Sequence, residues 1–381
     1  MTIAVVKLKP KEDKRILSGH LWVFSNEIAG IDGKPDIGDV VEVKSKNSEQ
    51  LGFGFYNPAT LIAVRMFSKR FIEPDKNFFI NRIQTADSLR QQFFNVPFYR
   101  LTHGESDFLP GLIIDRFDKL FSVQMFSAAM EKRKDIIYNS IMELFSPKAI
   151  YERNESASRQ LEGLPQTKSI ICGDEQVVDY DESGALFRIN PFSGQKTGFY
   201  FDQRLNRMFS RQFAEHARVL DLFSNEGGFA INMAHAGAEE VIAVDSSELA
   251  IKNLTTNSDL NQLKNVHGKT ADAFDFLDKG LSSEENFDVV VCDPPSFTKN
   301  RKSVTTAKAG YRRLHESLLK LLKPEGILLT ASCSHHIFRE TFEGIVSAAA
   351  IKSGRTLQLL HRAGASPDHP VLPVMPETEY L

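Results

Sequence analysis

From about residue 215 the chain settles into a rhythm that admits few folds. Short apolar stretches alternate with segments of helical spacing. Val219-Leu220-Asp221-Leu222, Val241-Ile242-Ala243-Val244-Asp245, Asp288-Val289-Val290-Val291-Cys292 and Gly326-Ile327-Leu328-Leu329-Thr330 read as strands. Such alternation predicts α/β architecture: a doubly wound, Rossmann-like domain with a parallel sheet. In that fold ligands bind beyond the carboxyl ends of the strands, where the strand order reverses. The residues that follow each strand are therefore the first to search.

The first strand ends at Asp221 and runs into Phe223-Ser224-Asn225-Glu226-Gly227-Gly228-Phe229. Glycine here permits a tight turn and close approach of the backbone to a ligand. Asp245 closes the next strand, 24 residues after Asp221, with Ser246 behind it. A carboxylate at that place can accept both ribose hydroxyls of an adenosine. Nicotinamide dinucleotides and S-adenosylmethionine both fit so far. The Gly-x-Gly-x-x-Gly spacing of dinucleotide binders is absent, and Glu226 opposes a pyrophosphate that needs bare amides. S-adenosylmethionine carries a positive sulfonium and amine and no phosphate, so an acidic loop suits it. Asp221, Phe223, Ser224, Asn225, Gly227, Asp245 and Ser246 are the expected cofactor contacts, and Asp272, Ala273 and Phe274 are placed to meet the adenine. The competing reading, that the aspartates are merely polar strand ends, leaves their spacing and order unexplained.

The strand Asp288–Cys292 exits through Asp293-Pro294-Pro295-Ser296-Phe297. Two prolines fix their own φ angles and restrict the residue before each, so the exit is rigid and can hold a carboxylate towards a flat substrate. Asp293 and Pro294 are expected at both cofactor and substrate. The strand Gly326–Thr330 runs through Ala331 into Ser332-Cys333-Ser334-His335-His336. A thiol at a strand-to-helix junction can ionise readily. Carbon-5 of cytosine is a poor nucleophile until a thiolate adds to carbon-6, which is covalent catalysis. Cys333 is the expected nucleophile and Asp293 its acid partner; the base for the carbon-5 proton is left unassigned. Cys172 and Cys292 lie among apolar neighbours and read as small buried hydrophobes. No metal is expected.

The rest of the chain is more ordinary. Three cysteines, no membrane-length apolar run and no signal-peptide pattern suggest a cytoplasmic protein. The formal charge is −3 over 381 residues, yet residues 1–70 carry 11 basic and 8 acidic side chains. That region alternates short apolar stretches with turns and reads as a small β-rich domain. Residues 71–190 are mixed: a helix over 78–93 with Phe79, Ile80, Ile83 and Leu89 inward, paired strands at 112–115 and 121–125, and a helix over 131–144. Residues 191–381 hold the doubly wound domain. Lys299, Arg301, Lys302, Lys308, Arg312 and Arg313, with no acidic residue over 298–314, form a basic stretch able to follow a phosphate backbone.

These residues bring the chain close to a known family. It resembles the large-subunit ribosomal RNA cytosine-5 methyltransferase I family, class I methyltransferases with an N-terminal PUA domain. Gly19-His20-Leu21-Trp22-Val23-Phe24-Ser25-Asn26-Glu27-Ile28 is similar to the start of the PUA domain, and Asp107–Asp115 to the central α+β domain. Gly194–Arg204 resembles a β-hairpin that precedes the catalytic domain and folds over the cofactor. The resemblance implies cofactor contacts from Lys196, Thr197, Phe199, Phe201, Asp202 and Gln203, and ribosomal RNA as partner, with no membrane. It leaves the oligomeric state open, a homodimer included. Many RNA cytosine-5 methyltransferases carry a second cysteine after the Pro-Pro; Ser296 stands there, as this family's one-cysteine pattern implies. The family's last strand lies where this sequence stops, so the sheet's outer edge is left open. Two rivals remain: a methyltransferase of the same fold acting on a purine or a protein, with Cys333 structural, and an RNA-binding protein that keeps the cofactor without catalysing.

Overall fold

The computed structural model describes residues 3–194, 197–279, 286–298, 303–334 and 336–379. Contacts divide the chain into two units, 1–178 with 189–201 and 367–378, and 179–188 with 202–366 and 379–381. The units thus cut the chain differently from the division at 70 and 190 read from sequence.

The first unit holds two sheets. The N-terminal one has six strands in the order Trp22–Phe24, Ile62–Ser68, Gln50–Tyr56, Val40–Lys44, Ala4–Leu8, Ile28–Asp32. Only the pairing of Ala4–Leu8 with Val40–Lys44 is parallel. The second has five strands, with Leu112–Phe117 and Leu120–Met125 antiparallel neighbours, as the sequence predicted. Lys76–Gln91 is helical, started by Asp75, whose carboxylate accepts the Phe78 N–H. Its buried face is Phe78, Phe79, Ile83, Ala86 and Arg90, whereas Leu89 lies in solvent. The apolar stripe turns towards Arg90 because that side chain pairs bidentately with Asp107, at 2.6 and 2.7 Å. The N-terminal sheet packs Val6, Leu8, Val23, Val41, Val43 and Val64 into a core of its own and shares a second core with the five-stranded sheet. Phe55 and Phe67 stack at 4.4 Å between centroids and pack with Phe78 and Phe79, and Arg65 joins Glu105 and Glu162, each at 2.9 Å. That shared core is why the first two stretches of sequence form one unit.

The second unit contains the doubly wound sheet. Its strands are β1 (Arg218–Leu222), β2 (Glu240–Asp245), β3 (Val266–Thr270), β4 (Phe287–Cys292) and β5 (Leu322–Thr330). They are all parallel, in the order β3-β2-β1-β4-β5, so the winding reverses between β1 and β4. The helices are α1 (Gly228–His235), α2 (Glu248–Leu260), α3 (Ala273–Lys279), α4 (Val304–Leu321) and α5 (Arg339–Lys352). Alternate strand residues point to opposite faces. Leu220, Leu222, Ile242, Val244 and Val290 pack with Leu314 and Leu318 of α4 and Ala349 of α5. Val219, Val241, Ala243 and Val291 pack with Ala230 and Met233 of α1 and Leu254 of α2. Each fully buried leucine or valine stabilises the fold by roughly 1.5–3 kcal/mol. Register aligns the carboxyl ends: Leu222 lies opposite Val244 and Cys292, Asp245 opposite Thr270, and Cys292 opposite Thr330. Beyond α5 the described residues contain no strand, and Leu357, Leu359 and Leu360 are exposed.

One element differs from expectation. The β-hairpin lies at Val178–Glu182 and Ala185–Ile189, earlier than Gly194–Arg204, and turns through Ser183 and Gly184 at positive φ. The Asn261 and Asn257 side-chain carbonyls accept the Leu186 and Arg188 N–H groups, each at 2.8 Å. The described residues 191–194 and 197–200 form turns and bends and no strand. A Cβ on Gly194 would lie 2.7 Å from the Asn190 oxygen, and one on Gly198, where φ is +125°, 2.8 Å from the Pro191 Cα. The segment ends in a 3-10 turn at Phe201–Gln203 and the helix Arg204–Ser210.

Candidate active site

The aligned carboxyl edge of the sheet gathers the acidic strand ends. Asp221 is 1 % exposed, and its carboxylate accepts the Ala230 N–H at 2.9 Å, in the first turn of α1. Burial pushes its pKa up to about 8, against the Ala230 bond, and the nearby Asp293 and Asp245 push the same way. The loop after β1 is tightly wound. Phe223 and Asn225 have φ of +61° and +48°, and Gly227 has +85°. At Gly227 a Cβ would lie 2.9 Å from the Leu254 Cγ, so only glycine fits. The loop leans on β2: the Ser224 N–H meets the Val244 carbonyl, and the Asn225 N–H meets Asp245 Oδ2, both at 3.0 Å. Asp245 Oδ1 accepts the Ser247 N–H at 2.9 Å. Each Asp245 oxygen has a second lone pair, so both remain able to take a ribose hydroxyl.

Glu226, buried in this loop, accepts from Asn253 Nδ2 at 2.8 Å, and burial raises it to about 7 despite that bond. Sequence reasoning used Glu226 only to exclude a pyrophosphate; its bonding partner Asn253 gave no signal. Ser246 is exposed at the start of α2. Asp272 is exposed and caps α3 through the Phe274 and Asp275 N–H groups, at 2.9 and 3.1 Å, with Ala273 buried behind it. Phe274 is half-buried, with its ring centroid 6.3 Å from that of Phe297.

Asp293 and Cys333 follow the adjacent strands β4 and β5, on the other side of the switch point. Asp293 is half-buried, and Gln203 Nε2 donates to its Oδ2 at 3.1 Å. Gln203 is in turn fixed by Asn206, whose Nδ2 donates to Gln203 Oε1 at 2.6 Å. Pro294 is buried, and the Cys333 thiol donates to its carbonyl at 3.5 Å. Cys292 is fully buried, and desolvation raises its thiol well above the ordinary value, which suits an inert core residue. Cys172 is only partly buried against the core of the first unit, less enclosed than expected. Ser332 and Ser334 are buried on either side of Cys333, and the Tyr311 hydroxyl lies 3.0 Å from the Oγ of each. Tyr311 escaped the sequence reading because, with Ala307, Leu314 and Leu318, it sits on the apolar face of α4 like any core residue.

The other expected cofactor contacts precede the sheet in sequence. Thr197, Phe199 and Phe201 lie in the first unit: Thr197 Oγ1 donates to the buried Asp115 carboxylate, and Phe201 packs on Phe117 at 5.1 Å and on Phe199 at 5.6 Å. Asp202 is in the second unit, and its carbonyl accepts the Ser366 N–H at 2.7 Å. Lys196, Lys299, Arg301, Lys302 and His335 lie outside the described residues. His336, Lys308 and Arg312 are exposed, and Arg313 pairs with Asp278 at 2.6 Å.

The edge suits S-adenosylmethionine chemically. The carboxylates of Asp221, Glu226 and Asp245 favour a cationic ligand. Two buried polar atoms of the loop, Ser224 Oγ and Asn225 Oδ1, lack a partner among the described residues, as expected where a polar ligand completes the bonding. Among the described residues no cluster of His, Cys, Asp or Glu has a metal-binding arrangement, and no helix is long and apolar enough to cross a membrane.

Comparison with known proteins agrees with this chemistry. Residues 154–373 match the S-adenosylmethionine-dependent methyltransferase family, and residues 6–69 match a PUA-like domain. A protein of Tolumonas auensis named ribosomal RNA large subunit methyltransferase I is 35% identical over 99% of this chain and 97% of its own length. One of the same name from Shigella dysenteriae serotype 1 is 34% identical over 100% and 98%. Among solved structures, a SAM-dependent methyltransferase from Streptococcus mutans superposes with a TM-score of 0.85 at 19% identity, covering 100% of this chain and 98% of the other. A methyltransferase complexed with SAH gives a TM-score of 0.85 at 18% identity, covering 100% and 98%. These two likenesses speak for the fold.

Proposed function

The chain belongs to the ribosomal RNA large subunit methyltransferase I family and is S-adenosylmethionine-dependent, and from that premise we propose that it methylates carbon-5 of a cytosine in large-subunit ribosomal RNA through a covalent adduct of Cys333. The observation that carries this reading is that Asp293 and Cys333 follow the adjacent strands β4 and β5, with the Cys333 thiol on the Pro294 carbonyl. Methyl transfer to a purine or a protein needs no covalent adduct, so there the thiol would have no chemical role.

Asp221 and Asp245 are the residues that would hold the amine and the ribose of the cofactor, with Ser224, Asn225 and Gly227 lining the turn. S-adenosylmethionine supplies an electrophilic methyl group. The Cys333 thiolate adds to carbon-6 of the cytosine, and the electrons of the 5,6 double bond shift towards N3, where Asp293 supplies a proton. The resulting enamine is nucleophilic at carbon-5, the atom to which the methyl group would pass from a bound sulfonium, whose sulfur would keep the electrons of the broken bond. Asp293 takes back the N3 proton, a base takes the proton from carbon-5, the double bond re-forms, and Cys333 departs as thiolate. The target cytosine must leave its stack to reach the thiol.

The test is product identity. Incubated with labelled S-adenosylmethionine and unmodified large-subunit RNA, the protein should yield 5-methylcytidine on digestion. Cys333→Ala should bind the cofactor and form no product. Another modified nucleoside, or a fully active Cys333→Ala protein, would sink the proposal.

A further inference from the structure

The hydroxyl groups around Cys333 form a chain whose direction the geometry fixes. Ser296 Oγ donates its one proton to the Thr298 carbonyl at 2.9 Å. Its contact with Ser334 Oγ, at 3.3 Å, therefore has Ser334 as donor. Ser334 Oγ also accepts the Phe297 N–H at 3.2 Å. With its own proton used, Ser334 can only accept from the Tyr311 hydroxyl at 3.0 Å. Tyr311 in turn accepts from Ser332 Oγ at 3.0 Å, and Ser332 Oγ accepts the Ser334 N–H at 3.3 Å. Protons thus run one way, from Ser332 through Tyr311, Ser334 and Ser296 to the Thr298 carbonyl.

This chain brackets the thiol. Ser332 and Ser334 are the neighbours of Cys333, and Tyr311 holds both. Ser334 also ties the Cys333 loop to Ser296 and Phe297, beyond the Asp293-Pro294 exit. Tyr311 is itself immobile: it is fully buried, 4.6 Å from Phe297 and 5.4 Å from Phe342 between centroids, and sits one helical turn before His315, whose Nδ1 faces the Tyr311 carbonyl at 2.7 Å. We propose that Tyr311 is the positioning residue of the reaction: its hydroxyl, on a rigid helix, sets the Cys333 loop against the Asp293 loop, so that thiol and carboxyl reach one substrate ring. The inference rests on Cys333 being the nucleophile, and it adds the group that orients it.

Tyr311→Phe removes only the hydroxyl and keeps the ring packing. Turnover should fall about tenfold to a hundredfold, the scale of a small misplacement of reacting groups, while the dissociation constant for S-adenosylmethionine stays within about twofold. The pH profile of iodoacetamide alkylation at Cys333, read by peptide mass spectrometry, should shift in the same variant. Ser334→Ala cuts the chain at its next link, leaves Tyr311 in place, and should reproduce both effects if Tyr311→Phe fails to fold. Wild-type turnover, or lower turnover with an unaltered alkylation profile, would overturn the proposal. Cys333→Ala separates the two readings: full activity there defeats the nucleophile, whereas the alkylation profile judges Tyr311 by itself.

Discussion

At the scale of single residues, Asp221 carries the most chemistry for its size. Its folded pKa of about 8 stands far above the ordinary carboxyl value of 3.8. Without ligand, the protonated form is therefore the one that folding favours. Its contribution to stability is complete below about 4 and is lost as pH rises through about 8. A cationic ligand reverses the preference, because it pairs with the carboxylate. Cofactor binding should thus release a proton near neutral pH, and affinity should fall as pH drops below about 8, on the order of tenfold per unit for one proton. Calorimetry in buffers of different ionisation enthalpy measures the release directly. Asp221→Asn should bind weakly with no such pH dependence at that position; an undiminished proton release would assign it elsewhere, Glu226 being next. Residues of this kind were legible in the sequence, because a carboxylate ending a strand is visible in one dimension. The bond from Gln203 to Asp293 was not, because its two ends stand 90 positions apart.

At the scale of elements, the pattern of the parallel sheet was plain because apolar strands and amphipathic helices repeat their periods without interruption. The hairpin was harder. Val178–Glu182 alternates acidic and apolar residues much as a solvent-facing strand would, yet Glu182 is 2 % exposed. Arg207 Nε and Nη2 reach it at 2.7 and 2.5 Å, and Asn232 of α1 donates at 3.1 Å. Sequence shows the charges but not which are desolvated together. A buried carboxylate satisfied in this way leaves an uncompensated guanidinium when it is removed. Glu182→Ala should destabilise the protein by about 3–5 kcal/mol, seen as a lower midpoint in urea unfolding. Asp179→Ala breaks only the exposed pair with Arg188, on the same hairpin, and should leave the midpoint unchanged. Equal effects from the two would mean that burial is not what gives Glu182 its weight.

At the scale of the whole molecule, net charge misled and distribution informed. A total of −3 conceals the basic excess of residues 1–70, 11 cations against 8 anions. The structure sorts that excess further. Lys7 pairs with Asp32 at 2.8 Å, Arg15 with Glu27 at 2.5 Å, and Arg65 is taken up between two glutamates inside the first unit. Lys11 and Lys14 are exposed and form no salt bridge among the described residues. A cation already neutralised by a carboxylate displaces fewer counterions from RNA than one that is not. The proposed RNA affinity should therefore fall linearly with the logarithm of salt concentration, with a slope that depends on Lys11 and Lys14 more than on Lys7. Replacing Lys11 and Lys14 by Ala should weaken binding to all RNA sequences alike and lower the slope by about 0.7–0.9 for each phosphate that is no longer neutralised. Lys7→Ala should change it less. Filter binding of the intact protein to large-subunit RNA across a salt series measures these slopes. An unchanged slope in the Lys11 and Lys14 variant would move the phosphate-binding surface away from this corner of the first unit, leaving the basic stretch after Pro295 as the surface to test next.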